Sequence, residues 1–205
     1  MSEIIEEIGS FIVTIVGNAP LLMHNGTLAD PMSDYAKLLK AETSKRKKSD
    51  DDHEKIAAIE FQGGLYFDEK LGPVIPGHML DACIVGGAKK KRLGTIFESC
   101  VRTTQDVYKL DYKGPRDRDG LWANPKFRDR RGCGVQAARV IRTRPKFTEW
   151  SVTFDVMLVP SELNPGNIKQ AIVDAGIYCG IGDFRPRFGL FTVKSFEAHA
   201  TAKAA

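Results

Sequence analysis

The sequence lacks long apolar runs and contains little cysteine. None of its 205 residues lie in a stretch approaching the roughly 18 apolar residues that cross a bilayer. The N-terminal segment MSEIIEEIGS is acidic and has no signal-peptide pattern, so we expect a cytoplasmic location. The spacing of the cysteines fits neither a zinc site nor a CxxC pair, which predicts reduced thiols at Cys83, Cys100, Cys133 and Cys179.

Signatures of common enzyme classes are also missing. The sequence has no HExxH, Walker loop, nucleophile elbow or cluster of carboxylates for a metal, so we expect no metal and no cofactor. A metal-free ribonuclease would need a general base, most often histidine. Of the four histidines, His24 and His78 are weak candidates, whereas His53 in a charged segment and His199 in the tail are expected to be solvated. The sequence therefore favours a protein that is not an enzyme.

The charges are strongly segregated along the chain. Residues 89–147 contain 17 Lys/Arg and 6 Asp/Glu, whereas the rest of the chain contains 13 Lys/Arg and 20 Asp/Glu. Clustered cations bind polyanions well because binding releases the counterions of the phosphates. An acidic surface on one copy and a basic surface on the next also favour self-association.

Hydrophobic periodicity predicts six core elements in the order βαββαβ. They are a strand at Phe11–Gly17, a helix entered at Pro76, an extended pair at 135–147 and 149–159, a helix capped by Asn164, and a final strand at 190–198. This order predicts an α+β, ferredoxin-like (RRM-like) fold, with an antiparallel sheet and two helices. We expect one domain over residues 1–205 with insertions at 18–75 and 93–134, including an exposed loop at 44–54 and irregular structure throughout 93–134.

The second insertion combines cations with aromatic residues. Phosphates need charge, and unstacked bases need flat partners, so this composition suits a single strand. The candidate nucleic-acid-binding residues of this segment are Arg116, Arg118, Trp122, Lys126, Phe127, Arg128, Arg130 and Arg131.

Three further groups of cations are candidates for the same role. The cluster at the end of the first helix has two explanations of equal weight, because cations there also complement the helix dipole. The other two groups lie on the strand at 135–147 and in a glycine-bounded turn. The candidates are Lys89, Lys90, Lys91, Arg92, Arg139, Arg142, Arg144, Lys146, Arg185 and Arg187.

Three segments resemble the RAMP superfamily, the ferredoxin-like proteins that include the backbone subunits of CRISPR effector complexes. FIVTIVGNAPLLMHN resembles the opening strand of the family and the "PL" after it. GPVIPGHMLDACIVGGAKKK resembles its helix entry, with Ile75, Pro76 and Gly77 matching and His78-Met79 replacing small residues. GIGDFRPRFGLFTV resembles the glycine-rich loop before the last strand, with matches at Gly180, Gly182, Arg185, Arg187, Phe188 and Gly189.

The resemblance implies a protein that coats a nucleic-acid strand, with copies packed head to tail in a helical filament or a ring. The glycine-rich loop and the first helix would lie near the bound backbone, and one insertion would act as a thumb between bases. The chain is short for a CRISPR backbone subunit, which favours a stand-alone relative, and a phage-encoded one is among the options.

Three functional hypotheses remain open at this point. The first is a non-enzymatic binder of single-stranded RNA or DNA that oligomerises along its ligand. The second is a metal-independent endoribonuclease of the same superfamily. The third is a protein-interaction module, such as an inhibitor that mimics a CRISPR backbone subunit and caps its assembly.

Overall fold

The computed structural model of the protein describes residues 9–135, 138–159 and 163–198. The strands are β1 (Gly9–Gly17), β2 (Leu21–Leu22), β3 (Phe67–Asp68), β4 (Gly72–Pro76), β5 (Val101–Thr103), β6 (Val107–Asp111), β7 (Arg128–Val135), β8 (Ala138–Phe147), β9 (Ser151–Leu158) and β10 (Phe191–Ala198). The helices are α1 (Asp34–Thr43), α2 (Asp50–Gly64), α3 (Gly77–Ala88), α4 (Gly94–Cys100), α5 (Arg118–Ala123) and α6 (Pro165–Tyr178), with 3-10 turns at Gly26–Leu28, Lys89–Lys91 and Pro125–Phe127.

The main sheet is antiparallel and has the order β10-β1-β9-β6-β4-β3, with β5 also paired to β9. The chain passes through β1, α3, β6, β9, α6 and β10 in turn, which is the βαββαβ order. The predicted fold class, an α+β protein with an antiparallel sheet and two core helices, is therefore confirmed.

The core forms where α3 and α6 pack together against the sheet. Alternate residues of β1 point inward, so Phe11, Val13 and Ile15 are buried and join Leu80 of α3 and Ile172 of α6 in one cluster. The two helices approach closely at Gly87, where an added Cβ would lie 2.0 Å from the carbonyl oxygen of Ala171. This close packing fixes where α3 ends and where its terminal cations lie.

The predicted position of the second core strand is wrong. Residues 93–134 contain β5 and β6, which belong to the main sheet, together with α4, α5 and most of β7, so the segment is not an irregular insertion. The strand predicted at 135–147 is β8, and it pairs with β7 and β2 rather than with β9. The extra chain between the second and third core strands therefore runs from the end of β6 to β9. β4 within the first predicted insertion also joins the main sheet through β6.

The predicted exposed loop at 44–54 is also partly wrong, because α2 begins at Asp50. Ser49 and Asp52 form a capping box, in which each side chain bonds the other residue's backbone N–H. Three aspartates in the first turn stabilise the helix, because their negative charges interact favourably with the positive end of the helix dipole. These local contacts explain why the helix begins at Asp50, although the sequence there has no periodic pattern of apolar residues.

Glu60 of α2 holds the helix against β8. Its carboxylate is 4% exposed and lies 2.6 Å from a guanidinium nitrogen of Arg142. Its other oxygen accepts a hydrogen bond of 2.8 Å from the backbone N–H of Thr143. The second sheet, which consists of β2, β8 and β7, is therefore tied to α2 through this buried acid.

Replacement of this acid should destabilise the protein. We expect Glu60→Ala to lower the free energy of unfolding by about 1–3 kcal/mol, because a buried N–H and a guanidinium lose their partner. Glu54→Ala is the matched control: Glu54 pairs with Arg128 at 3.5 Å on the surface, and its loss should cost less than about 1 kcal/mol. Urea unfolding curves measure both, and equal effects would contradict the role of Glu60.

Candidate nucleic-acid interface

The segment between α6 and β10, residues 179–190, is called here the glycine loop. Gly180, Gly182 and Gly189 have φ values of 71°, 84° and 72°, which only glycine adopts without strain. The loop is tied to the chain around β2 by hydrogen bonds of Asp183 N–H to the Leu22 carbonyl (2.8 Å) and Gly189 N–H to the Pro20 carbonyl (2.9 Å). The exposed tip of this held loop carries Arg185, Pro186 and Arg187.

A buried arginine holds the loop from the other side. Arg144 of β8 is 7% exposed, and its Nε donates to a carboxylate oxygen of Asp183 at 2.5 Å. Its guanidinium also lies 2.9 Å from Sγ of Cys133. Arg144 therefore makes internal contacts, which corrects its prediction as a nucleic-acid contact. The same correction applies in large part to Arg142, because its guanidinium is paired with Glu60.

His24 lies beside this ion pair, in the turn that follows β2. The hydroxyl of Tyr66 donates to the His24 carbonyl at 3.4 Å. The residue is exposed overall, but partial burial of its ring lowers the pKa of His24 below 6.5. The negative charges of Asp183 and Glu60 raise this pKa, and the positive charges of Arg144 and Arg142 lower it. This environment favours the neutral form of the imidazole. His78, by contrast, is an exposed residue in the first turn of α3.

The two aromatic residues predicted to stack on bases also pack within the protein. Phe127 is 8% exposed and packs against Tyr112 and Phe147, so its ring is not accessible and its prediction as a stacking residue is corrected. The ring of Trp122 lies 5.4 Å from that of Phe61, and the Arg128 guanidinium lies 4.6 Å from the Trp122 ring. Trp122 is half-buried, and its contact with a base stays a prediction.

Most arginines of the predicted basic loop also anchor that segment. Arg116 and Arg118 donate to the carbonyls of Leu110 and Gln62 and lie over the rings of Tyr112 and Phe67. Arg131 forms an ion pair with Asp129, and its guanidinium lies 4.5 Å from the centre of the Phe188 ring. These half-buried guanidinium groups bind protein carbonyls, carboxylates and rings, which corrects their prediction as free phosphate contacts.

Other predicted cations remain exposed. Arg130 and Arg139 lie on the β7–β8 hairpin, and neither has an ion-pair partner within the part of the chain that the structure describes. Lys126 and Lys146 line a cleft of about 360 Å³ together with Lys113, Phe127, Thr148 and Glu149. Lys113 was not predicted as a binding residue. It follows β6 and lies beside the other two lysines in this cleft.

The basic turn, Lys89–Arg92, continues α3 and meets the start of the glycine loop. Lys89 pairs with Glu98 at 3.4 Å, whereas the ammonium of Lys90 lies 5.2 Å from the ring of Tyr178. Lys90, Lys91 and Arg92 are exposed and have no ion pair among residues 9–135, 138–159 and 163–198. Tyr178 also lines a cleft with Arg185 of the glycine loop, so the fold brings Lys90 and Arg185, from two distant segments, to the same tyrosine.

Sequence reasoning missed the exposed aromatic residues of this side. Tyr178 is 55% exposed and Phe184 is 40% exposed. A signal for Tyr178 was available, because it lies off the apolar face of α6 that Ile168, Ile172 and Ala175 form. Phe184 has a φ of 60°, a backbone conformation that no pattern in the sequence predicts for a phenylalanine.

The outward face of the sheet offers a poorer surface for nucleic acid. Ile12, Thr14 and Val16 of β1 lie beside Thr153 and Asp155 of β9, without an aromatic or cationic side chain at these positions. The aromatic residues Phe154 and Tyr108 are buried. RRM-type stacking on the sheet, which needs exposed aromatic residues, is therefore not available on β1 and β9.

Neither a metal site nor a membrane span is found in the described residues. Within them no three His, Cys, Asp or Glu side chains are grouped to hold a metal ion. No described helix is long and apolar enough to cross a membrane.

Comparisons with known proteins concern the fold. No family model and no curated protein sequence matches the chain. The chain is similar to one in the "Cryo-EM structure of the Type III-B Cmr-beta bound to cognate target RNA", with 13% identity and a TM-score of 0.49. The match covers 93% of this chain and 60% of that chain, so this chain spans about 60% of the length of that protein.

The environment of His24 generates a direct prediction. Proton NMR titration of its ring should give a pKa below 6.5, because burial and the two arginines disfavour the imidazolium. Asp183→Asn should lower the pKa further, since it removes the largest effect that raises it. A pKa at or above 6.5 in the unmodified protein would contradict this environment.

Proposed function

We propose that the chain binds single-stranded nucleic acid without cleaving it, and that copies pack head to tail along one strand. The observation that supports this most is the group of exposed cations on and beside the glycine loop. They come from the basic turn after α3 and from the loop, and they have no ion-pair partner among the described residues: Lys90, Lys91, Arg92, Arg185 and Arg187.

Rigid backbone makes these cations suitable for phosphate binding. The glycine loop is held by two backbone hydrogen bonds and the Arg144–Asp183 pair, so Arg185 and Arg187 are presented from a fixed support. A fixed support lowers the ordering cost of binding. Lys90 to Arg92 follow a buried helix, which limits their movement in the same way.

The β7–β8 hairpin supplies a second contact region in this proposal. It carries Arg130 and Arg139, and the lysine cleft of Lys113, Lys126 and Lys146 lies where β8 ends. A strand that follows these groups would leave the glycine loop and pass along the hairpin, in the role of the thumb that the resemblance implies. RNA and single-stranded DNA are both candidates, because neither set of cations distinguishes them.

Self-association follows from the distribution of charge. The region 89–147 has an excess of cations and the rest of the chain an excess of acids, so in this proposal exposed cations of one copy attract exposed acids of the next. A bound strand would strengthen this attraction by holding the copies close together.

Salt dependence tests the proposed contacts. The affinity for a labelled 30-nucleotide single strand should fall steeply with salt, with a slope of about −0.7 per phosphate contact. Replacing Lys90, Lys91 and Arg92 by glutamine should weaken binding and make the slope shallower by up to about 2. Fluorescence anisotropy at increasing NaCl concentrations measures both quantities.

The matched control removes the same charge elsewhere. Arg46, Lys47 and Lys48 lie between α1 and α2, and their replacement by glutamine should leave the slope unchanged. Binding that is absent, insensitive to salt, or equally reduced in both variants would contradict the proposed interface.

A metal-independent endoribonuclease is the second candidate, because partial burial and the charges of Arg144 and Arg142 lower the pKa of His24 and so favour its neutral imidazole. A neutral imidazole can accept the proton of an attacking 2′-hydroxyl. Under the non-enzymatic proposal, labelled RNA incubated with the protein in EDTA stays intact. Cleavage that persists in EDTA, and that His24→Ala or His78→Ala abolishes but His53→Ala does not, would replace the non-enzymatic proposal.

A further inference from the structure

We propose that the cleft between α3 and the glycine loop holds one unstacked nucleobase, a role that rests on the proposed function. The cleft, called here the aromatic cleft, has a volume of about 530 Å³. Tyr178 and Phe184 contribute aromatic rings, Ala82 and Gly86 of α3 contribute small residues, and Arg185 and Pro186 complete the lining. A volume of this size falls in the range of small-molecule sites.

Phe184 is the central residue of this cleft. It is an apolar side chain that stays 40% exposed, and its backbone has a φ of 60°, a left-handed conformation that is unfavourable for a residue other than glycine. The exposed part of the ring makes no contribution to the core, so a role in binding is the use we propose for it. The neighbouring Asp183 is bonded to both Arg144 and Leu22, so the backbone that carries the ring is held in place.

The surroundings of Phe184 support stacking by the ring. The guanidinium groups of Arg131 and Arg144 each lie 5.6 Å from its centre, and the ring of Phe188 lies 6.1 Å away, edge to face. Both arginines are paired with acids of the protein, so they support the ring and are not available to phosphates. The exposed part of the ring faces the cleft that it lines.

Tyr178 offers a second flat surface. It is 55% exposed at the end of α6, and the ammonium of Lys90 lies 5.2 Å from its ring. Gly86 allows α3 to approach the start of the glycine loop closely, because an added Cβ there would lie 3.2 Å from Sγ of Cys179. A base in the cleft would therefore touch aromatic rings, while its phosphate reached Lys90 or Arg185 at the rim.

The charge around the cleft decides between two kinds of occupant. Exposed aromatic rings alone would also suit an apolar protein segment. Lys90 lies beside the Tyr178 ring and Arg185 lines the cleft, and neither cation has an ion pair in the described part of the chain. A ligand that combines flat rings with negative charge fits both features, and a nucleotide of a single strand is such a ligand.

Conservative substitutions test the cleft. Phe184→Leu keeps the apolar character and the backbone conformation but removes the flat ring, so affinity for a single-stranded oligonucleotide should fall about 5- to 100-fold. Phe184→Trp should bind within about threefold of the unmodified protein, because a flat ring is restored. Tyr178→Leu should also weaken binding, whereas Phe67→Leu, outside the cleft, should not. The salt slope should stay unchanged in all four variants, since no cation is lost.

An oligonucleotide series with one abasic position separates stacking from indirect effects. With the unmodified protein, moving the abasic position along the strand should weaken binding at one position or at a regular interval; with Phe184→Leu this dependence should disappear. The cleft proposal is wrong if the unmodified protein binds with the expected salt slope but neither Phe184→Leu nor any abasic position changes affinity. Absence of any salt-dependent binding overturns the proposed function and the cleft together. Unfolding curves of the leucine variants show whether the fold is kept.

Discussion

The buried contact of Arg144 with Asp183 is the interaction on which the proposed interface depends. It links β8 of the second sheet to the glycine loop, which has no regular hydrogen-bonded structure of its own. A buried guanidinium must remain paired, since loss of one partner costs about 3–5 kcal/mol. The positions of Phe184 and of the Arg185–Arg187 tip follow from this pair. The same charges set the electrostatic environment of His24.

The excess of positive charge in residues 89–147 serves two purposes. Several of its arginines bind carbonyls, carboxylates and aromatic rings within the protein, because the planar guanidinium offers several donors in fixed directions. The cations that remain exposed lie at chain turns and on the outer hairpin, where water can solvate them. Arg116 and Arg118 exemplify the first group, and Lys90 and Arg130 the second. Total charge therefore indicated a polyanion ligand, but it overstated the number of residues free to contact one.

Some elements were predictable because their signals are local. β1 alternates apolar and outward residues, and α6 begins with an asparagine cap and a proline, so both follow from sequence alone. The choice of partner strand is not local: β8 has ten residues and β6 only five, yet β6 joins the main sheet and β8 does not. The partial burial of Trp122 depends on Phe61, about 60 residues earlier, and exposure of Phe184 depends on a backbone conformation fixed by Leu22 and Arg144. The core order was therefore readable, whereas the stacking residues were not.

The central claim is that a single strand of nucleic acid contacts the glycine loop and the basic turn that follows α3. Ultraviolet crosslinking of an oligonucleotide that carries photoreactive uridines, followed by mass spectrometry of the crosslinked peptides, tests this contact directly. The account predicts crosslinks in the peptides that contain Tyr178, Phe184 and Lys90, and their loss at high salt. Crosslinks confined to the outward face of β1 and β9, or none at any salt concentration, would contradict it.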